Sequence, residues 1–328
     1  INIDDADVGA LVYGNGHAEV SLDAKDDVDI IHGSSVIAQT GYGPDTALVN
    51  IHADDDINIE NHSAVQALVD HDGNASINMD AKDNILVSKS EVESRVGAWG
   101  DATNNLHAKN IIITKGAEVE AKANRGEAEN NLGAKNIIIS KGGEVSAKSI
   151  HGDAENHLFA KEDIELNRGT VKAESFSGKA ENTLFAGGDI SLVFSKVLSK
   201  TIFGIAKVTL DARDDISLFF SSLTAKVLSG KKGHAEVTLD AGSKHNHHGD
   251  ITLTGSSILA EVGSGLRSAL VVLDATGMIN LAFSTVEAVN NNFGRSSVYF
   301  NAGKDINLFA SKVTARTGFG DAAVDLDA

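Results

Sequence analysis

The sequence predicts an all-β fold, a right-handed parallel β-helix built as a three-sided solenoid of about twelve coils. Three observations carry this expectation. A repeat of roughly 26 residues runs through all 328 positions. Each repeat holds three short alternating segments, and no helical 3.6-residue periodicity separates them.

The repeat is clearest where each unit ends on alanine. Twelve units close at Ala24, Ala53, Ala81, Ala108, Ala134, Ala160, Ala186, Ala212, Ala241, Ala275, Ala302 and Ala328. Four consecutive units, ending at Ala134, Ala160, Ala186 and Ala212, have 26 residues each. The first segment reads as in Ile57/Ile59 or Ile306/Leu308, the second as in Val65/Ala67 or Val313/Ala315, and the third as in Val20/Leu22 or Val324/Leu326. Alternation with period two marks strands that bury one face. Glycine and Asp/Asn clusters mark the corners. Hairpins would need short reversing turns, whereas here each strand meets its equal one coil later. One coil buries perhaps six small apolar side chains, worth about 10 kcal/mol. Ordering its residues costs more than that, so the array is the folding unit.

Composition agrees. The chain is 42% hydrophobic but only 5% aromatic, with 32 glycines and one proline, so the core must be aliphatic. Cysteine is absent, and stacking takes the place of disulfides. No run of 18 apolar residues is present to span a membrane. A net charge of −18 argues against nucleic acid as a partner. The charge is uneven: residues 1–81 hold sixteen acids and one base, Lys25. The array therefore divides into acidic coils over 1–81, coils with core asparagines over 82–186, and apolar-core coils over 187–328. The chain opens on Ile1 with no signal-like segment and no readable cap at either end. This is expected of a piece of a longer rod, or of a subunit that stacks end to end.

Two runs carry a family resemblance. They are Ala302-Gly303-Lys304-Asp305-Ile306-Asn307-Leu308, followed by Ser311-Lys312-Val313-Thr314-Ala315, and Ala186-Gly187-Gly188-Asp189-Ile190-Ser191-Leu192. They resemble the haemagglutinin-type repeats of filamentous haemagglutinin-like exoproteins. The resemblance covers all twelve units through short motifs. It implies export by two-partner secretion through an outer-membrane partner, and a place outside or on the surface of a Gram-negative cell.

Several side chains stand out as candidate sites. At the valine position of the third segment, four units carry Asn104, Asn130, Asn156 and Asn182, spaced by 26. In register these amides form a structural ladder inside the core. Asp26, Asp27, Asp54, Asp55 and Asp56 crowd neighbouring corners and offer oxygens to Ca²⁺, the one cofactor considered, against the plainer reading of a solvated acidic face. His245, His247 and His248 could ligate Zn²⁺ or Ni²⁺. An aromatic residue precedes glycine before several third segments, at Tyr13, Tyr42, Trp99, Phe203, Phe293 and Phe319. These rings either shield the end of the core at a corner or form an exposed row that binds glycan or protein. Phe194 and Phe220 are expected to stack at a corner. Glu129, Glu155 and Glu181, and likewise Lys109, Lys135 and Lys161, should form outward solvated rows.

The expected function is a structural or adhesive fibre segment, not an enzyme. Its partners would be a host or neighbouring cell surface, glycan or matrix, or identical subunits. The alternatives are a self-assembling filament subunit and a β-helix polysaccharide lyase or glycosidase, which would need paired carboxylates in one cleft.

Overall fold

The computed structural model describes residues 1–41, 43, 45–229, 233–242, 248–264 and 267–328. It is all-β, 72% strand with no helix among the described residues, and forms a parallel β-solenoid of about twelve turns. In the second coil the strands are Val28–Ile31, Ser35–Thr40 and Asp45–Ala53, one on each face. Each strand pairs in parallel with its counterpart in the next coil. Ile85 faces Ile111 and then Ile137 on the first face. Val36 faces Val65 and then Val92 on the second. Ala47 faces Ala75 and then Ala102 on the third. Alternate residues turn inward, so Ile57, Ile59, Val65 and Ala67 are fully buried.

The chain forms two compact units, Ile1–Phe159 and Ala160–Ala328. In the first, the strands of each face run in coil order from Asn2–Asp4, Asp7–Val12 and His17–Ala24 onward. The second follows the same plan. In its last two coils the second and third strands join, as Thr285–Ala302 and Lys312–Asp327. Two faces there share one continuous ladder, with a register shift between Asn290 and Phe293 absorbing the corner.

The corner between the first and second faces is built alike in both units. One residue per coil adopts a left-handed backbone with φ between 47° and 58°: Asp5, His32, Asn61, Lys89, Lys115 and Lys141 in the first unit, Arg168, Phe194, Phe220, Gly255, Phe283 and Ala310 in the second. This costs a non-glycine residue about 1 kcal/mol. A serine follows it in eight coils, with Ala6, Ala117, Gly143 and Gly169 in the others, and in the second unit it holds the bend. The Ser195, Ser221, Ser256 and Ser284 hydroxyls each donate to the carbonyl two residues earlier, at 2.8–3.0 Å. Each hydroxyl also accepts a backbone N–H from the preceding coil, at 3.0–3.2 Å. That is the physical role of the serine in the Ser-x-Val-x-Ala motif.

The corner between the second and third faces is packed by glycines. Gly73, Gly100, Gly126 and Gly152 stack in the first unit, and a Cβ on any of the last three would lie 1.7–2.0 Å from the carbonyl oxygen of the glycine before it. No side chain fits between these coils.

Candidate functional sites

The predicted core ladder forms in the first unit. Asn104 Nδ2 donates to Asn130 Oδ1 and Asn130 Nδ2 to Asn156 Oδ1, both at 2.8 Å. The spacing of the asparagines does not reveal a second set of bonds. Asn104 also donates to Glu120 O and Asn130 to Ser146 O, both at 2.8 Å, which ties the third face to the second across the core. In the second unit, Asn182 donates to Leu198 O and to the Ser199 hydroxyl, at 2.8 and 2.9 Å. At the other end, Asn104 Oδ1 and the Ser94 hydroxyl are buried without a partner among the described residues. Ser94 and Ser199 occupy a row held by alanine in the flanking coils, as Ala67, Ala121 and Ala225 show. That replacement is the signal in the sequence that could have located the ends of the ladder.

Of the five aspartates proposed for Ca²⁺, the structure brings three together. Carboxylate oxygens of Asp27, Asp55 and Asp56 lie within 4.8 Å of one another. Asp27 accepts the Asp56 N–H at 3.1 Å, and Asp56 accepts from the Asn84 backbone and side chain. Loss of hydration, then a hydrogen bond to Asp83 and the charges of Asp56 and Asp27, push the Asp55 carboxyl above its usual value. Asp54 instead pairs with Lys82 at 2.5 Å, which lowers its pKa. Asp26 is exposed and outside the cluster.

A second carboxylate group, missed in the sequence, lies outward on the second face. Glu91, Glu93 and Glu120 place their oxygens within 4.8 Å of one another. Glu120 is buried and takes Lys122 Nζ at 2.5 Å and Lys148 Nζ at 2.6 Å. Burial opposes its charge, yet these two lysines outweigh burial and hold its carboxyl low. Neighbouring Glu118 has the opposite fate. Burial, then the charges of Glu120 and Glu144, raise its pKa to about 7. The folded state therefore holds this proton more tightly than the unfolded chain. Stability from this group is complete below pH ~4.5 and is lost as pH rises toward 7. Glu118→Gln should leave the urea midpoint unchanged near pH 4 and raise stability at pH 8. The gain should be about 1 kcal/mol, because the half-exposed side chain is screened by water. A larger gain at pH 4 than at pH 8 would contradict it.

The glycine-preceding aromatics do not shield the core. Tyr13, Trp99, Phe203, Phe293 and Phe319 are 46–85% exposed. The corner backbones pack directly on one another, with Gly204 against Gly178 and Gly320 against Gly294. Nor do they make one row. Trp99 stacks under Arg125 at 4.7 Å, Phe203 meets Phe176 edge-on at 5.5 Å, and Phe293 lies flat on Phe319 at 4.8 Å. Tyr42 lies outside the described residues. A denser aromatic group sits on the first corner of the second unit. There Phe194 and Phe220 stack at 5.5 Å, as expected, with Phe219 edge-on to both.

Of the histidine trio, His245 and His247 lie outside the described residues and His248 is exposed. The charged rows differ from expectation. Lys109, Lys135 and Lys161 are exposed, but Glu155 is half-buried against His157 at 3.0 Å and Glu181 is buried beside Lys179. Both glutamates lie on the third face, where neighbouring coils cover them.

The third face of the first unit carries a concavity of about 620 Å³ across five coils. One wall is a second, outward asparagine row. Asn131, Asn105 and Asn78 each donate to the amide oxygen one coil back, at 2.9–3.0 Å, and Asn50 donates to Glu19 at 3.1 Å. The other wall is the row Asp23, His52, Asp80, His107 and Gly133. His52 lies 3.5 Å from Asp80.

No protein-family model, curated protein or solved structure matches the chain.

Proposed function

We propose that the chain is a segment of an extracellular adhesive fibre of a Gram-negative cell, acting by surface display and contact and not by catalysis. The observation that carries the reading is the outward repetition of one side chain in coil after coil, as in the amide row from Asn50 to Asn131. Such rows offer a partner many equal, weak contacts at a fixed spacing, which suits avidity more than turnover. The haemagglutinin-type resemblance supports the same reading and adds export through an outer-membrane partner.

Beads coated with the purified chain should attach to epithelial cells or immobilised matrix, and soluble chain should compete. Attachment no greater than that of albumin-coated beads would refute the adhesive role.

One observation favours a second reading, a β-helix polysaccharide lyase or glycosidase. Glu91, Glu93, Glu118 and Glu120 gather carboxyls on the outward side of the second face, with Glu120 held low by Lys122 and Lys148 and Glu118 raised by burial. Release of oligosaccharides from polygalacturonate or a neutral glycan, lost in both Glu118→Gln and Glu120→Gln, would establish it. Intact polymer after prolonged incubation would dismiss it.

A further inference from the structure

We infer that the concavity on the third face of the first unit is a binding groove for an extended, uncharged, hydroxyl-rich glycan lying along the solenoid axis. The inference rests on the adhesive reading and gives it a ligand class.

The geometry of the walls comes first. The two walls are residues two apart on each strand, so they stand roughly 6.6 Å apart and each repeats at ~4.8 Å along the axis. The main chain of Ile51, Met79 and Leu106 forms the floor between them, because those side chains point into the core. A ligand in such a trough must be narrow and linear. Its own repeat must also lie near the coil rise, as a sugar ring in an extended chain does.

The chemistry of the amide wall narrows the class. An asparagine amide has two N–H donors and an oxygen with two lone pairs. Within the row, Asn78 and Asn105 each use one donor and one lone pair on their neighbours. One donor and one acceptor per coil remain for a ligand, held in place by the ladder. Paired hydroxyls on a sugar ring present the matching acceptor and donor. The ordering cost of these side chains is already met in the free protein.

Charge removes the acidic glycans. Glu19, Asp23 and Asp80 sit on or beside the walls, and residues 1–81 carry sixteen acids against one base. A polyanion would be repelled along the whole trough.

The far end of the groove adds an apolar contact. The wall loses its side chain at Gly133, and 26 residues on, at the same point of the repeat, stands the half-exposed ring of Phe159. A ring at the end of a polar trough is suited to the C–H face of a sugar.

Isothermal titration of the purified chain with neutral β-1,4-linked oligosaccharides, cellohexaose and its shorter homologues, tests the groove. Affinity should rise at least tenfold from the disaccharide to the hexasaccharide and change little with salt. Polygalacturonate should not bind. Phe159→Ala should weaken the hexasaccharide at least tenfold. The ring is half exposed, so the variant keeps the fold; its melting curve checks this. Asn105→Leu, which cuts the amide row, should weaken binding comparably. No binding of neutral hexasaccharides, preferential binding of polyanions, or full affinity in both folded variants overturns the groove. Cell attachment without oligosaccharide binding sinks the groove alone. Oligosaccharide binding without cell attachment sinks the adhesive role and leaves the groove.

Discussion

Asn130→Val is expected to destabilise the protein by about 4 kcal/mol, read as a shift in the urea midpoint. The side chain is fully buried. Its loss strands three groups at once: an Asn104 N–H, the Ser146 carbonyl and the Asn156 amide oxygen. Each buried orphan costs about 1–3 kcal/mol, and valine returns only part of this through apolar burial. Val208 occupies the equivalent row in an apolar coil, so Val208→Ile should cost about 1 kcal/mol from overpacking. Equal midpoints for the two variants would remove the ladder from the list of stabilising features. Adding Asn104→Val to Asn130→Val should cost less than the single change, because it deletes a donor already stranded.

Gly126→Ala is expected to be about as damaging, ~4 kcal/mol, by steric conflict. Its Cβ would lie 2.0 Å from the Gly100 carbonyl oxygen and 2.6 Å from its carbon. Its φ of 149° is also one that side chains rarely adopt. Relief requires separating two coils that the Gly100 N–H to Arg125 O bond, at 2.9 Å, holds together. Gly116→Ala separates the two causes. Its φ is 76°, but nothing lies within 4 Å of the added carbon, so it should lose about 1 kcal/mol from backbone strain alone. A Gly126→Ala melting temperature no lower than that of Gly116→Ala would discard the packing explanation.

The fold was legible because each strand obeys one rule twice, alternation along itself and identity one coil later. Ile111 and Ile113 announce both a strand and its partners Ile137 and Ile139. The core asparagines were legible for the same reason, since a polar residue in an apolar row at constant spacing must be satisfied along that row. Outward chemistry was harder to read. Glu118 and Glu120 look like ordinary surface acids until lysines 122 and 148 close over one and leave the other desolvated. The aromatic–glycine pairs misled because glycine does not reveal what fills the space beside it. There it was the neighbouring backbone, and the ring was turned out to solvent. The outward Asn50–Asn131 row was visible as spacing, but asparagine at a surface carries no signal until the wall opposite it is known.

The serine that pins the first corner has a consequence for how such a chain can change. Ser195 and Ser221 are 26 residues apart, while Ser221 and Ser256 are 35 apart, and the corner bond forms in both cases, at 3.0 and 3.1 Å. Contour length between corners is therefore an open variable. A coil can acquire a new loop by insertion and still close on the same two atoms. New recognition surfaces can then be tried one coil at a time, while the lattice beneath them stays as it was.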